Sequence, residues 1–162
     1  MNGVQTIGNA TLVAYDKHPI ISTDPWMGGD HSAFWGSWRL PYDIPADIRE
    51  DILKSEYIWF SHGHQDHLNP DSLHLFKNNK ILLSDHFGSR IYKDLKSENF
   101  KVTILEDRKW INLSKNISIM SISTKIQDSI LLLRVNNDVF INLNDAGPYS
   151  SKFIKKTVSK FR

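Results

Sequence analysis

The segment SHGHQDHLNP, residues 61–70, places three imidazoles and a carboxylate within six residues, directly after the apolar run YIWF. Side chains two apart in an extended segment point the same way, so His62 and His64 can grip one cation. Asp66 and His67, displaced along a turn, are set to reach a second cation close by. Neutral imidazole with carboxylate is the ligand set of catalytic zinc sites. The plainer alternative is a polar loop that happens to be rich in histidine. A strand immediately before the cluster, and the regular spacing, favour the metal reading.

The rest of the composition narrows the chemistry. The chain has 162 residues and no cysteine, so disulfides, thiolate metal sites and an iron–sulfur cluster within this chain are excluded. A transition metal must then be held by imidazole and carboxylate, which suits zinc, manganese or iron. A formal net charge of +2 gives no case for nucleic acid. The excess of lysine and arginine sits mostly between Lys152 and Arg162, as on a solvated helix face. No apolar stretch approaches the roughly 20 residues that cross a bilayer, and no leader pattern opens the chain. A cytoplasmic protein with a small-molecule substrate and no membrane partner is expected.

The elements that must position the cluster are legible as alternating short strands and helices. VQTIG, ATLVAYD and PIISTD read as strands, the first two forming a hairpin around Gly8 and Asn9. Residues 25–42 form an aromatic, glycine-rich loop without periodicity. A helix is expected from Asp43, with Pro45 in its first turn and Ile44, Ile48 and Ile52 on one face. YIWF is a buried strand, and Asn69 caps a helix over DSLHLF. KILLSD is a strand and 87–96 a helix. Strands follow at KVTIL, KWINL, ISIMSIS, SILLLRV and DVFINL, with Asn136 and Asn137 turning the last hairpin. A basic helix is expected over 149–161. This order suits a layered α/β domain spanning 1–162.

Taken together, GNATLVAYDKHPIISTDPW, YIWFSHGHQDHLNPDSL and VFINLNDAG resemble the metallo-β-lactamase superfamily. The combination of TDPW, the aromatic loop, SHGHQDHLNP and NLND is similar to its branch of ascorbate-phosphate lactonase-like and CMP-N-acetylneuraminate hydroxylase-like proteins. The resemblance implies an α/β fold, the metallo-β-lactamase αββα sandwich, with two metals at one edge of its sheets. It assigns His62 and His64 to the first metal, Asp66 and His67 to the second, and Asp145 as the bridge. Asp24 would orient a ligand, and Asp66 would also hold or accept a proton from the attacking water. The implied metals are two zinc ions, with manganese or iron as alternatives.

Two departures from that pattern stand out. The family's histidine before the strand SILLLRV has no counterpart in STKIQDS, where Asp128 is the one good donor among Lys125, Gln127 and Asp128. Its last histidine would fall beyond Arg162, so the chain is expected to hold only the larger N-terminal part of the fold. It is accordingly expected to bind metal weakly and to associate with itself or with a remaining C-terminal region. Trp26, His31, Trp35, Arg39 and His86 are candidates for touching substrate. Flat aromatic faces suit sugar rings or acyl chains, and a guanidinium suits an anion. His18 and His74 carry no evident role. The reaction implied is metal-dependent hydrolysis of an ester, lactone or phosphoester, of which a sugar-derived substrate is one form. The rivals are a degenerate metal-binding or interaction module and an iron-dependent hydroxylase-like oxidoreductase.

Overall fold

The computed structural model describes residues 2–28, 30–147 and 150–161. Strands β1 (Asn2–Gly8), β2 (Thr11–Asp16) and β3 (His18–Thr23) open an antiparallel run. From β3 onward the sheet turns parallel, through β4 (Tyr57–Phe60), β5 (Lys80–Ser84) and β6 (Lys101–Leu105). The six strands lie in sequence order. Parallel neighbours need crossovers, and helices supply them. These are α1 (Ala46–Lys54), the short α2 (Pro70–Leu73) with a 3-10 turn behind it, and α3 (Arg90–Ser97). A second, antiparallel sheet is ordered β10-β9-β8-β7 and holds β7 (Trp110–Asn112), β8 (Ile117–Ser123), β9 (Ser129–Val135) and β10 (Asp138–Asn142). Helix α4 (Ser151–Phe161) follows.

The alternation of side chains along the strands sorts the apolar residues into three layers. Val13, Ile58, Phe60, Ile81 and Leu83 face Ile48 and Ile52 of α1 and Leu95 of α3. Their strand neighbours Leu12, Ala14, Trp59 and Leu82 face the other way, onto Ile117, Ile119, Leu131 and Leu133 of the second sheet. The far side of that sheet, with Met120, Ile130 and Leu132, meets Phe153 of α4. Helix, sheet, sheet and helix therefore stack in four layers, the αββα arrangement. A carboxylate bridge also joins the sheets: Asp16, at the end of β2, accepts from Ser114 Oγ at 2.7 Å and Asn116 Nδ2 at 2.8 Å. Among the described residues no helix is long and apolar enough to cross a membrane.

Several boundaries differ from the sequence expectation. Helix α1 starts at Ala46 with Pro45 as its cap, because Pro45 holds ψ at 144°, outside the helical range. Ile44, expected on the helix face, is instead buried in the segment that leads into it. Asn69 does cap α2, its side chain accepting from Ser72 N at 2.9 Å, but the α-turn gives way at His74 to a 3-10 turn. The helix expected over 87–96 begins as a 3-10 turn at Phe87–Ser89, where Gly88 has φ 80°. The last hairpin, in contrast, turns at Asn136 and Asn137 as expected, with Asn136 at φ 55°. The expected start of the basic helix at Tyr149 lies outside the described residues.

Candidate metal centre

The parallel strands deliver their chemistry at their carboxyl ends, where ligands of open α/β sheets gather. Asp24 leaves β3, His62 leaves β4 and His86 leaves β5; from the facing sheet, Asp128 precedes β9 and Asp145 follows β10. Asp24 is fully buried, and its main-chain φ of 39° turns it beneath the 61–67 loop. Its Oδ1 accepts from Ser61 N at 2.7 Å, and its Oδ2 lies 3.1 Å from His67 Nδ1. A carboxylate there holds the proton on Nδ1 and leaves Nε2 of His67 as a bare donor atom. That Nε2 lies 3.5 Å from Asp66 Oδ2 and 3.4 Å from Asp145 Oδ2.

His62 is held from behind in a similar way. Its Nδ1 lies 2.9 Å from Ser61 Oγ and 3.4 Å from Asp128 Oδ1, while Asp128 itself accepts from Ser129 N at 2.6 Å. Its Nε2 faces His64 Nδ1 at 2.7 Å and Asp145 Oδ2 at 3.8 Å. Two imidazole nitrogens that face each other, with a carboxylate alongside, form the donor set a divalent cation needs. Two groups of ligand atoms result, each contained within 4.8 Å: His62, His64 and Asp145; and Asp66, His67 and Asp145. The residues present thus fit a pair of cations that share Asp145.

The electrostatics suit the same occupant. Burial, and then the neighbouring His67, hold the His62 pKa below that of a free imidazole, against the pull of Asp128 and Asp24. A neutral ring is the form that ligates. For His67, burial is the largest single influence and lowers the pKa. The Asp24 hydrogen bond, together with the charges of Asp24, Asp66 and Asp145, outweighs it, and the pKa ends above the usual value. Carboxylates that attract a proton to His67 will attract a metal cation in its place.

The loop that carries the cluster is tied down by neutral polar groups. His67 N and Leu68 N both donate to His64 O, at 3.0 and 2.8 Å. Asn9 Nδ2 donates to Asp66 O at 2.8 Å. Asn69, buried, reaches back to Gln65 O and across to Ser32 O. Asp145 is aimed by its own neighbours: Asn144 takes φ 47° and donates from Nδ2 to Ser129 O at 3.2 Å. Asn142 Nδ2 donates to Thr23 Oγ1 at 3.2 Å and so links the ends of β10 and β3.

A cavity of about 600 Å³ opens beside the first group, with His62, His64, His86, Asp128 and Asp145 in its wall. His86 stands there with Nε2 2.8 Å from Ser129 Oγ, and its burial lowers its pKa. The other four substrate candidates do not line this cavity. Trp26 is buried and donates from Nε1 to His31 O at 2.8 Å, while His31 Nδ1 lies 2.8 Å from Ser72 Oγ. Trp35 is exposed, and Arg39 borders a separate groove with Trp26, Trp38 and Tyr42. Asp128, the one good donor in STKIQDS, sits behind His62 and belongs to neither ligand group. Sequence reasoning missed Ser61, Ser129, Asn142 and Asn144, which support the site with common polar side chains and carry no local signal.

The four layers, with this cluster at the strand ends, define the metallo-β-lactamase fold. No family model matches the chain. Its structure is similar to that of CmlA, a diiron beta-hydroxylase from Streptomyces venezuelae, with a TM-score of 0.71 at 13% identity over 98% of this chain and 32% of that one. It is also similar to Igni18, a metallo hydrolase from Ignicoccus hospitalis, with a TM-score of 0.63 at 17% identity over 94% of this chain and 65% of that one. In sequence it is 30% identical over 107 residues to a cytidine monophosphate-N-acetylneuraminic acid hydroxylase from Asterias rubens, covering 62% of this chain and 16% of that protein. The chain spans 16% and 30% of the length of the first curated relatives it matches.

Proposed function

We propose that the chain is a metal-dependent hydrolase acting on an ester, lactone or phosphoester. The observation that carries this reading is the shared carboxylate: Asp145 Oδ2 lies 3.8 Å from His62 Nε2 and 3.4 Å from His67 Nε2. His62, His64 and Asp145 would hold one divalent cation, and Asp66, His67 and Asp145 a second. Bound cations at such a pair polarise a carbonyl or phosphoryl oxygen and lower the pKa of water. Asp24 keeps the His67 proton on Nδ1. Ser61 and Asp128 fix the His62 ring. Asp66, beside His67 Nε2, accepts a proton from the attacking water and holds it for the leaving group.

A second reading, iron-dependent oxidation, is favoured by one feature. His62, His64 and Asp145 are two imidazoles and one carboxylate, the set that open non-haem iron sites use. CmlA and the Asterias rubens relative are hydroxylases by name. Atomic absorption and the visible spectrum of purified protein discriminate. Zinc or manganese supports hydrolysis, iron with visible absorbance supports oxidation, and absence of metal even after loading supports a non-catalytic module. The matched control is a pair of double variants. His62→Ala with His64→Ala should lose metal, whereas His18→Ala with His74→Ala should keep it; equal retention by both pairs sinks the assignment.

A further inference from the structure

The rim of the cavity beside His62 and His64 is apolar in a way that neither folding nor metal binding requires. Phe87 is 92% exposed and Ile126 is 71% exposed, yet both line the same cavity as the ligand groups. Phe87 belongs to the turn after β5, in the first sheet, and Ile126 to the turn between β8 and β9, in the second. Both turns are hydrogen-bonded: Ser89 N donates to His86 O at 3.2 Å and Thr124 N to Asp128 O at 2.9 Å. Exposed large apolar side chains cost solubility and contribute nothing to a core. The wall of the same cavity also carries Leu83, Ile91 and Ile104. At the rim, Arg90 Nε lies 3.6 Å from Asp94 Oδ2, both side chains exposed.

We propose that Phe87 and Ile126 clamp an apolar arm of the substrate, an alkyl or aryl chain attached to the ester or lactone carbonyl that faces His62, His64 and Asp145. This inference rests on the hydrolase reading for the head of the substrate but not for its arm. A cavity of about 600 Å³ is of the size that takes a small-molecule ligand, and its wall combines the His62, His64 and Asp145 groups with the apolar side chains of Leu83, Ile91 and Ile104. Leu83, Ile91 and Ile104 favour an alkyl or aryl chain over a polyhydroxylated ring, whose hydroxyls find no partner on those side chains.

The test separates arm from head. Acetohydroxamate and octanohydroxamate carry the same chelating head, and titration calorimetry on zinc-loaded protein compares them. Octanohydroxamate should bind about 30-fold more tightly, as burial of several methylenes implies. Phe87→Ala with Ile126→Ser, both on exposed turns, should cut that ratio to about threefold and leave acetohydroxamate unchanged. Equal affinities in the wild type, or a ratio untouched by the double variant, overturn the clamp. A second arm needs no metal: 1-octanol should shift the methyl resonances of Ile91, Ile104 and Ile126 in metal-free protein. Those shifts without hydroxamate binding would refute the metal reading and keep the clamp. Shifts with methyl glucoside in place of octanol would overturn the apolar class.

Discussion

Asp24 can be changed so that folding and metal binding come apart. In Asp24→Asn the side chain keeps its size, and Oδ1 still accepts from Ser61 N, a contact of 2.7 Å in the native chain. That bond pins the amide, because the reversed orientation would set two donors against each other. The amide nitrogen must then face His67 Nδ1, which the native carboxylate meets at 3.1 Å. An N–H cannot hold a second N–H, so His67 moves its proton to Nε2, the atom that faces Asp66 and Asp145. The second ligand group loses its imidazole donor, while the fold keeps both hydrogen bonds and only exchanges charged acceptors for neutral groups, at a cost of roughly 1 kcal/mol. Loss of such an orienting partner weakens metal affinity by about 10- to 100-fold. In Asp24→Ala both buried donors are left unmet, at about 1–3 kcal/mol each. With about 2–4 °C of melting temperature per kcal/mol at this chain length, the alanine variant should melt roughly 5–20 °C lower. Competition with a chromophoric zinc chelator measures affinity, and melts in EDTA measure the fold. An asparagine variant that holds two zinc ions as tightly as the wild type would refute the reasoning.

Asp66→Asn should lower turnover of a responsive ester or lactone by at least 10²-fold while much of the metal at the His62 group is retained; near-normal turnover would remove Asp66 from the chemistry. Trp59, 0% exposed between the two sheets, should cost about 3–5 kcal/mol as Trp59→Ala, read from urea denaturation in EDTA. Asp16 has its pKa lowered, first by the Ser114 hydrogen bond and then by Asn116. A depressed folded pKa adds stability that is present above the ordinary carboxylate pKa of 3.8 and is lost as pH falls through the folded value. The melting-temperature gap between wild type and Asp16→Asn should therefore be constant near neutrality and close on acidification below that point. A gap that persists at the lowest pH would place its origin elsewhere.

The segments with strong local signals could be read without coordinates. YIWF, KILLS and SILLLRV are apolar runs too short for helices and flanked by polar turns, so they had to be strands. Asn69 before Pro70 marked a cap, and the two asparagines before Asp138 marked a hairpin. The candidate ligand cluster was legible for the same reason: His62, His64, Asp66 and His67 are close in sequence, and their spacing dictates how they can converge. Local reading failed where a neighbouring residue chose between similar conformations. Pro45 could open the first turn of α1 or cap it; its ψ of 144° makes it the cap, and Ile44 before it is buried in the same core cluster as Ile48 and Ile52.

By itself, the sequence determined the type of chemistry: imidazole and carboxylate donors, no thiolate, and strands that must be buried on both faces. The tertiary structure alone decided which distant groups serve that chemistry. Asp145 joins His62 and His67 only because β10 ends beside β3, linked through Asn142 and Thr23. Asp128 stands behind His62 only because β9 begins against Ser61, whose carbonyl accepts from Ser129 Oγ at 2.7 Å. Trp26 and His31 sit in a region that looked ready for substrate, yet they spend their polar atoms on His31 O and Ser72. Phe87 and Ile126 show no periodic signal, and their shared cavity exists only once the two sheets are stacked. The reason is physical. Chelation between near neighbours is set by short-range backbone geometry, whereas the position of a carboxylate eighty residues away is set by burial of the whole core between two sheets.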